Sequence, residues 1–241
     1  MQTSIMFRLL RILSSFIDSA IRIAFVSDGR GAQTLGLRER KKLRTRATLI
    51  DAAVELCNSQ GFDNTTVDQI AAVADVSSRT FSRYFPTKEA VALALVDEIL
   101  DRTAVELARQ GDEVNHYEAL LQANVAMVEA AKRARPGELT AERLLCITRI
   151  IVTSSILRQA SVEFRGNAIE RALASRLGVS LHDQKVRLMA AVWGAVMMTA
   201  LGSVAHDNRD WSKVSVDDLI DRLKAVFGEF AEFAGNLHQP V

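Results

Sequence analysis

Proline is nearly missing from this chain of 241 residues, which holds three, and aromatic residues make up only 6%. Alternating runs of β-branched and polar residues are missing too, so no segment reads as a strand. These absences exclude a β-sandwich or barrel and point to an all-helical protein. Cysteine is scarce: Cys57 and Cys146 stand far apart, with no CxxC pair and no disulfide framework. That usage fits a reducing cytoplasm. His116, His182, His206 and His238 are scattered, and no HExxH, phosphate-binding Gly-rich loop or G-x-S-x-G turn occurs. No enzyme, metal site or cofactor is therefore expected. One sign of charge hardly dominates, at a formal +1, and this excludes little by itself.

Long apolar runs are also lacking at the start, where residues 1–26 read MQTSIMFRLLRILSSFIDSAIRIAFV. Arg8, Arg11, Asp18 and Arg22 interrupt them, so the segment neither spans a bilayer nor forms a signal-peptide core. It reads as an amphipathic helix on a membrane surface, as an accessory helix, or as translation from an upstream start codon. The last reading is preferred, with the start near Val26, Leu35 or Leu37, and no stable membrane association is expected. Residues 27–36, SDGRGAQTLG, look like a disordered lead-in. Domain one is thus an extension over 1–36.

What is present is concentrated in residues 61–89, GFDNTTVDQIAAVADVSSRTFSRYFPTKE. Thr66 is a helix cap, and Val67, Ile70, Ala71 and Ala74 recur at helical spacing. Asp75, Val76 and Ser77 form a joint, and Ser77 caps a second helix over 78–85. Pro86 stops that helix, and Thr87 caps a third. Two short helices with a three-residue joint have the layout of a helix-turn-helix. The segment resembles the TetR-type one-component transcriptional regulators. Gly61, Thr66-Val67, Ile70-Ala71, Ala74, Val76-Ser77, Thr80, Tyr84-Phe85 and Lys88-Glu89 carry the resemblance, within a match over about 44–96. Two positions depart: Asp75 stands where the family has Gly, and Ser82 where an aromatic is usual. Asp tolerates the left-handed backbone a turn needs.

Charge supports that likeness. Residues 37–46, LRERKKLRTR, hold six basic residues against Glu39, just before the helix-turn-helix. Domain two is then a DNA-binding head over 37–89. On its second helix Phe81 and Phe85 share one side, which faces the head's core. Ser78, Arg79, Ser82 and Arg83 form an adjoining polar face that enters the major groove. Arg79 is the candidate for a bidentate contact to guanine. Thr80 and Tyr84 suit phosphate oxygens, as do Lys88 and Thr66 at helix starts and Arg44 in the basic run; Ser77 completes the set. Cys57 reads as a small core residue on the apolar face of helix one.

Domain three, 90–235, reads as six further helices, near 88–110, 114–133, 140–154, 157–177, 181–206 and 216–233. The resemblance implies an effector-binding body, an operator in double-stranded DNA and a homodimer through the last two long helices. Met127, Cys146, Ile150, Ile151, Phe164, Met189, Trp193 and Met197 are candidate pocket residues, and their apolar character suggests an apolar or amphipathic effector. Residues 143–178 resemble ligand domains of actinobacterial members that take acyl-CoA-like molecules. Arg149, Arg158 and Arg165 would then meet an anionic head group.

Overall fold

The computed structural model describes residues 36–135, 137–154, 157, 168–207 and 211–236. The chain falls into two compact units, residues 1–45 and 46–241. All regular structure among the described residues is helical. The helices are α1 (Leu37–Gln60), α2 (Val67–Val73), α3 (Ser78–Tyr84), α4 (Lys88–Ala108) and α5 (His116–Lys132). They continue with α6 (Ala141–Thr153), α7 (Ala168–Leu177), α8 (Gln184–Asp207), a 3-10 turn (Trp211–Lys213) and α9 (Val216–Asn236). Of the helix expected over 157–177, Leu157 and the stretch from Ala168 onward are described.

In the first unit the described chain is the opening of α1. The Gly36 carbonyl accepts from the amides of Glu39 and Arg40 at 2.9 and 3.1 Å, and the Thr45 hydroxyl donates to the Lys41 carbonyl. The helix begins at Leu37, at the start of the basic run. Leu, Arg, Lys and Glu are good helix formers, and no Gly or Pro interrupts the basic run.

In the second unit local sequence sets each helix end. Gly61 stops α1 in the left-handed region, with φ 84°. Thr66 and Gln69 form a reciprocal capping box at the start of α2. Asp75 occupies the joint at φ 52°, and the Val76 amide bonds back to the Ala71 carbonyl at 2.9 Å. Ser77 accepts from the Thr80 amide and opens α3. Phe85 leaves that helix one residue earlier than the sequence suggests, in extended backbone. The following Pro86 disfavours helical backbone at residue 85.

Three apolar clusters hold this unit. The first joins α1, α2 and α3 to the first half of α4 and to Cys146, Ile147, Ile150 and Ile151 of α6. Phe81 and Phe85 lie at its centre with no exposed surface, their ring centroids 5.9 Å apart. The second joins the end of α4 to α5, α7, α8 and α9, and the third joins α5, α6, α8 and α9. Among the described residues α8 is the one helix long and apolar enough to cross a membrane. It nevertheless buries Trp193, Val196, Ala200 and Val204 against its neighbours.

Candidate nucleic-acid interface and ligand cavity

On α3, Ser78, Arg79, Ser82 and Arg83 are exposed, while Thr80 and Tyr84 are half-buried. Phe81, on the opposite side, anchors the helix. Arg79 makes no hydrogen bond or ion pair with a described residue, and neither it nor Arg83 pairs with Asp75. The Arg83 guanidinium lies 5.8 Å from the Tyr84 ring centroid. Both arginines thus present donors to solvent from a helix whose other side is locked in a core. Arg44, in the first unit, is exposed as well.

The hydroxyls on this surface are mostly engaged within the head. Ser78 donates to Asp68 at 2.6 Å, tying α3 to α2, and Ser82 donates to the Ser78 carbonyl at 3.0 Å. Ser77 and Thr80 share a hydrogen bond at 2.9 Å, and Thr66 is occupied by Gln69. These oxygens keep lone pairs, so in this arrangement they can accept a hydrogen bond from a base amino group. A phosphate needs donors, which the arginines retain.

Lys88 requires a correction. The sequence reading puts its ammonium at a phosphate. The structure turns it inward, where it donates to the carbonyls of Phe62, Asp63 and Thr65 at 2.9, 3.2 and 3.0 Å. It also lies 4.7 Å from the Phe62 ring centroid. Three donors meet three acceptors, so the side chain fastens the α1–α2 loop to the start of α4. The three carbonyls lie more than twenty residues upstream of Lys88, and no local pattern reveals such a contact.

The second site is a cavity of about 900 Å³. Val96, Ile99, Leu100 and Thr103 of α4 line one wall, and α5, α6, α7, α8 and α9 contribute the others. Met127, Ile151, Trp193 and Met197 line it, as the sequence reading has it. Cys146, Ile150 and Met189 do not. Cys146 and Ile150 belong to the first cluster, where the Cys146 thiol meets Cys57 in a hydrogen bond. That bond and burial push the Cys146 thiol up, while the same bond draws Cys57 down. Met189 packs into the second cluster. Phe164 lies outside the described residues, as do Arg158 and Arg165. Arg149 does not line the cavity; it stands beside Cys57 and Gly61. Among the described lining residues the cation is Arg187, exposed on α8.

Sequence reasoning missed the polar lining. Thr103, Asn124 and Thr148 are buried in the walls, while Gln184 and Arg187 are exposed. On an amphipathic helix a single Thr or Asn among apolar residues carries no pattern.

Polar contacts from α6 join the body to the head in two further places. Arg143 of α6, 5% exposed, forms an ion pair with Asp51 of α1 and stands 3.9 Å from Glu98 of α4. Asn58 of α1 donates to Glu142 of α6 at 2.8 Å. Asp97 of α4 is pushed up to about 6, first by burial and then by the charge of Asp101.

Comparison with known proteins gives a family and a set of relatives. Residues 49–95 match the family described as bacterial regulatory proteins, tetR family. The transcriptional regulator TcmR of Streptomyces glaucescens is 36% identical over 173 residues, which is 67% of this chain and 73% of that protein. RutR of Escherichia coli K12 is 36% identical over 69 residues, covering 29% of this chain and 32% of RutR. Among solved structures, the Thermus thermophilus repressor FadR in complex with lauroyl-CoA is similar with a TM-score of 0.49 and 23% identity. That likeness covers 76% of this chain and 91% of FadR.

Proposed function

This chain belongs to the tetR family of bacterial regulatory proteins and is a DNA-binding transcriptional regulator; from that premise we propose that it is a cytoplasmic repressor, released from its operator by a small apolar or amphipathic effector. One observation carries the reading: a single helix serves both sites. Val91, Ala92 and Leu95 of α4 are buried in the cluster that holds the helix-turn-helix, and Val96, Ile99, Leu100 and Thr103 wall the cavity. An effector that fits better when α4 shifts moves the head by the same displacement. Release follows from its preference for that state.

In this reading Arg79 contacts a base edge, Arg83 and Tyr84 contact phosphates, and the serines accept from bases. One α3 supplies few base contacts, and a two-fold dimer on a pseudo-palindromic operator doubles them. Support for a dimer through α8 and α9 comes from their outer faces. Thr199 and Gly202 of α8 and Ala225 of α9 are exposed and lie outside the cavity lining, and open space surrounds Gly202, Gly228 and Gly235. Small residues let partner helices approach closely.

The test is fluorescence anisotropy on the DNA upstream of the protein's own gene, against scrambled DNA, at several salt concentrations. Specific binding that persists at moderate salt is expected. Arg79→Ala should weaken it by roughly tenfold or more, the scale of one bidentate base contact. Equal, steeply salt-dependent binding to both DNAs is phosphate attraction alone and overturns the reading.

A further inference from the structure

We propose that Thr103 and Asn124 form an oxygen-recognition subsite in the cavity, so that the effector is a largely apolar molecule carrying a neutral hydroxyl or carbonyl. This inference rests on the cavity being the effector site.

Thr103 is 2% exposed and lines the cavity, yet its hydroxyl is the one buried side-chain polar atom without a partner among the described residues. A helical threonine has a ready acceptor one turn back. Thr148 uses it, donating to the Leu144 carbonyl at 2.8 Å, and so does Thr153, to Arg149 at 2.7 Å. Thr103 does not. A buried hydroxyl left unpaired destabilises the fold, and a ligand that supplies the partner recovers that loss on binding. Asn124 stands in the facing helix at 5% exposure. Its amide N–H donates to the Leu120 carbonyl at 2.8 Å, and no donor from a described residue reaches its carbonyl oxygen. The subsite thus offers a hydroxyl that both donates and accepts, and a carbonyl that accepts. That set suits an alcohol, a phenol or a ketone. It does not suit a carboxylate, which would lose its hydration beside an amide carbonyl with no cation to offset the loss. The cation of the cavity wall, Arg187, is exposed on α8.

The test compares two probes of one shape, pyrene and 1-hydroxypyrene, by equilibrium dialysis against the full chain. The quantity read is the ratio of their affinities, in the parent protein and in Thr103→Val, which keeps the shape and removes the hydroxyl. The ratio should fall about tenfold in the variant, the size of one neutral hydrogen bond, with pyrene itself binding both proteins alike. Thr103→Ser keeps the hydroxyl and should keep the ratio. Pyrene binding with an unchanged ratio in Thr103→Val overturns the subsite and leaves the cavity standing. Failure of both probes to bind overturns the cavity reading itself, and the subsite with it.

Discussion

The head and the body of the second unit solve the packing problem in opposite ways. Around α3 the interior is filled: Phe81 and Phe85 have no exposed surface, helix ends are capped by Thr66, Ser77 and Thr87, and Lys88 satisfies three loop carbonyls. Around α5 and α8 lies a cavity of about 900 Å³, open past the exposed Leu188, Ala191 and Ala195, with an unpaired hydroxyl in its wall. A rigid reading head keeps its geometry at the DNA. A body with room left in it is stabilised further when something enters, and that is the property a sensor needs.

The largest test of this contrast removes side chains from each interior. Phe81→Ala opens a void in a filled core and is expected to cost about 3–5 kcal/mol. Met127→Ala enlarges a space that already exists. The side chain has fewer neighbours to lose, so the cost should lie near the low end for such a change, about 2 kcal/mol. Urea denaturation of both variants measures it. Equal losses would mean that the cavity wall is as tightly packed as the head.

Lys88→Met comes next. It keeps the stem and removes the ammonium, leaving the Phe62, Asp63 and Thr65 carbonyls without their donor. A loss of about 1–3 kcal/mol is expected in the melting of the head. Operator affinity of the folded variant should change little in its salt dependence. A drop of about one in the salt slope would instead place Lys88 at a phosphate and restore the sequence reading.

That difference shows where sequence reading stops. Gly61, Ser77, Asp75 and Thr87 were legible because each acts on backbone within five residues of itself. The two faces of α3 were legible because a fixed period of 3.6 separates Phe81 and Phe85 from Arg79 and Ser82. Lys88 was misread because its partners lie far upstream, and Cys146 because its neighbour is Cys57, on another helix. Met127 and Met189 have the same chemistry and the same kind of setting in sequence. Only the packing of α5 against α8 decides that one lines the cavity and the other does not.

Asp97 gives a smaller, pH-dependent effect on the helix shared by both regions. Its folded pKa, about 6, lies above the usual carboxylate value of 3.8. The folded state therefore holds this proton more tightly. The stability it contributes is complete below about pH 4 and is lost as pH rises through about 6. Asp97→Asn removes the penalty of the buried charge. It should stabilise the protein at pH 7 by about 1 kcal/mol, well below the full value of the shift, because the carboxylate is half-buried and Arg46 loses a partner. The gain should vanish below pH 4 in denaturation curves. A gain independent of pH would trace to packing and not to titration.

The finest comparison uses one backbone motif present in both regions. Asp75 ends α2 at φ 52°, with the Val76 amide bonded to the Ala71 carbonyl at 2.9 Å. Gly178 ends α7 at φ 63°, with the Val179 amide bonded to the Ala174 carbonyl at 3.0 Å. The hydrogen bonding is the same, so the two sites differ in the Cβ alone. Nothing lies within 4 Å of where a Cβ on Gly178 would stand, which leaves backbone strain as the whole cost there. Asp75→Gly should therefore stabilise by about 0.5–1 kcal/mol, and Gly178→Asp should destabilise by a similar amount. Thermal melting of the two variants gives the sign of each. If Asp75→Gly destabilises, the aspartate contributes more at the joint than its backbone strain costs, and the head retains it for a contact that the left-handed turn makes possible.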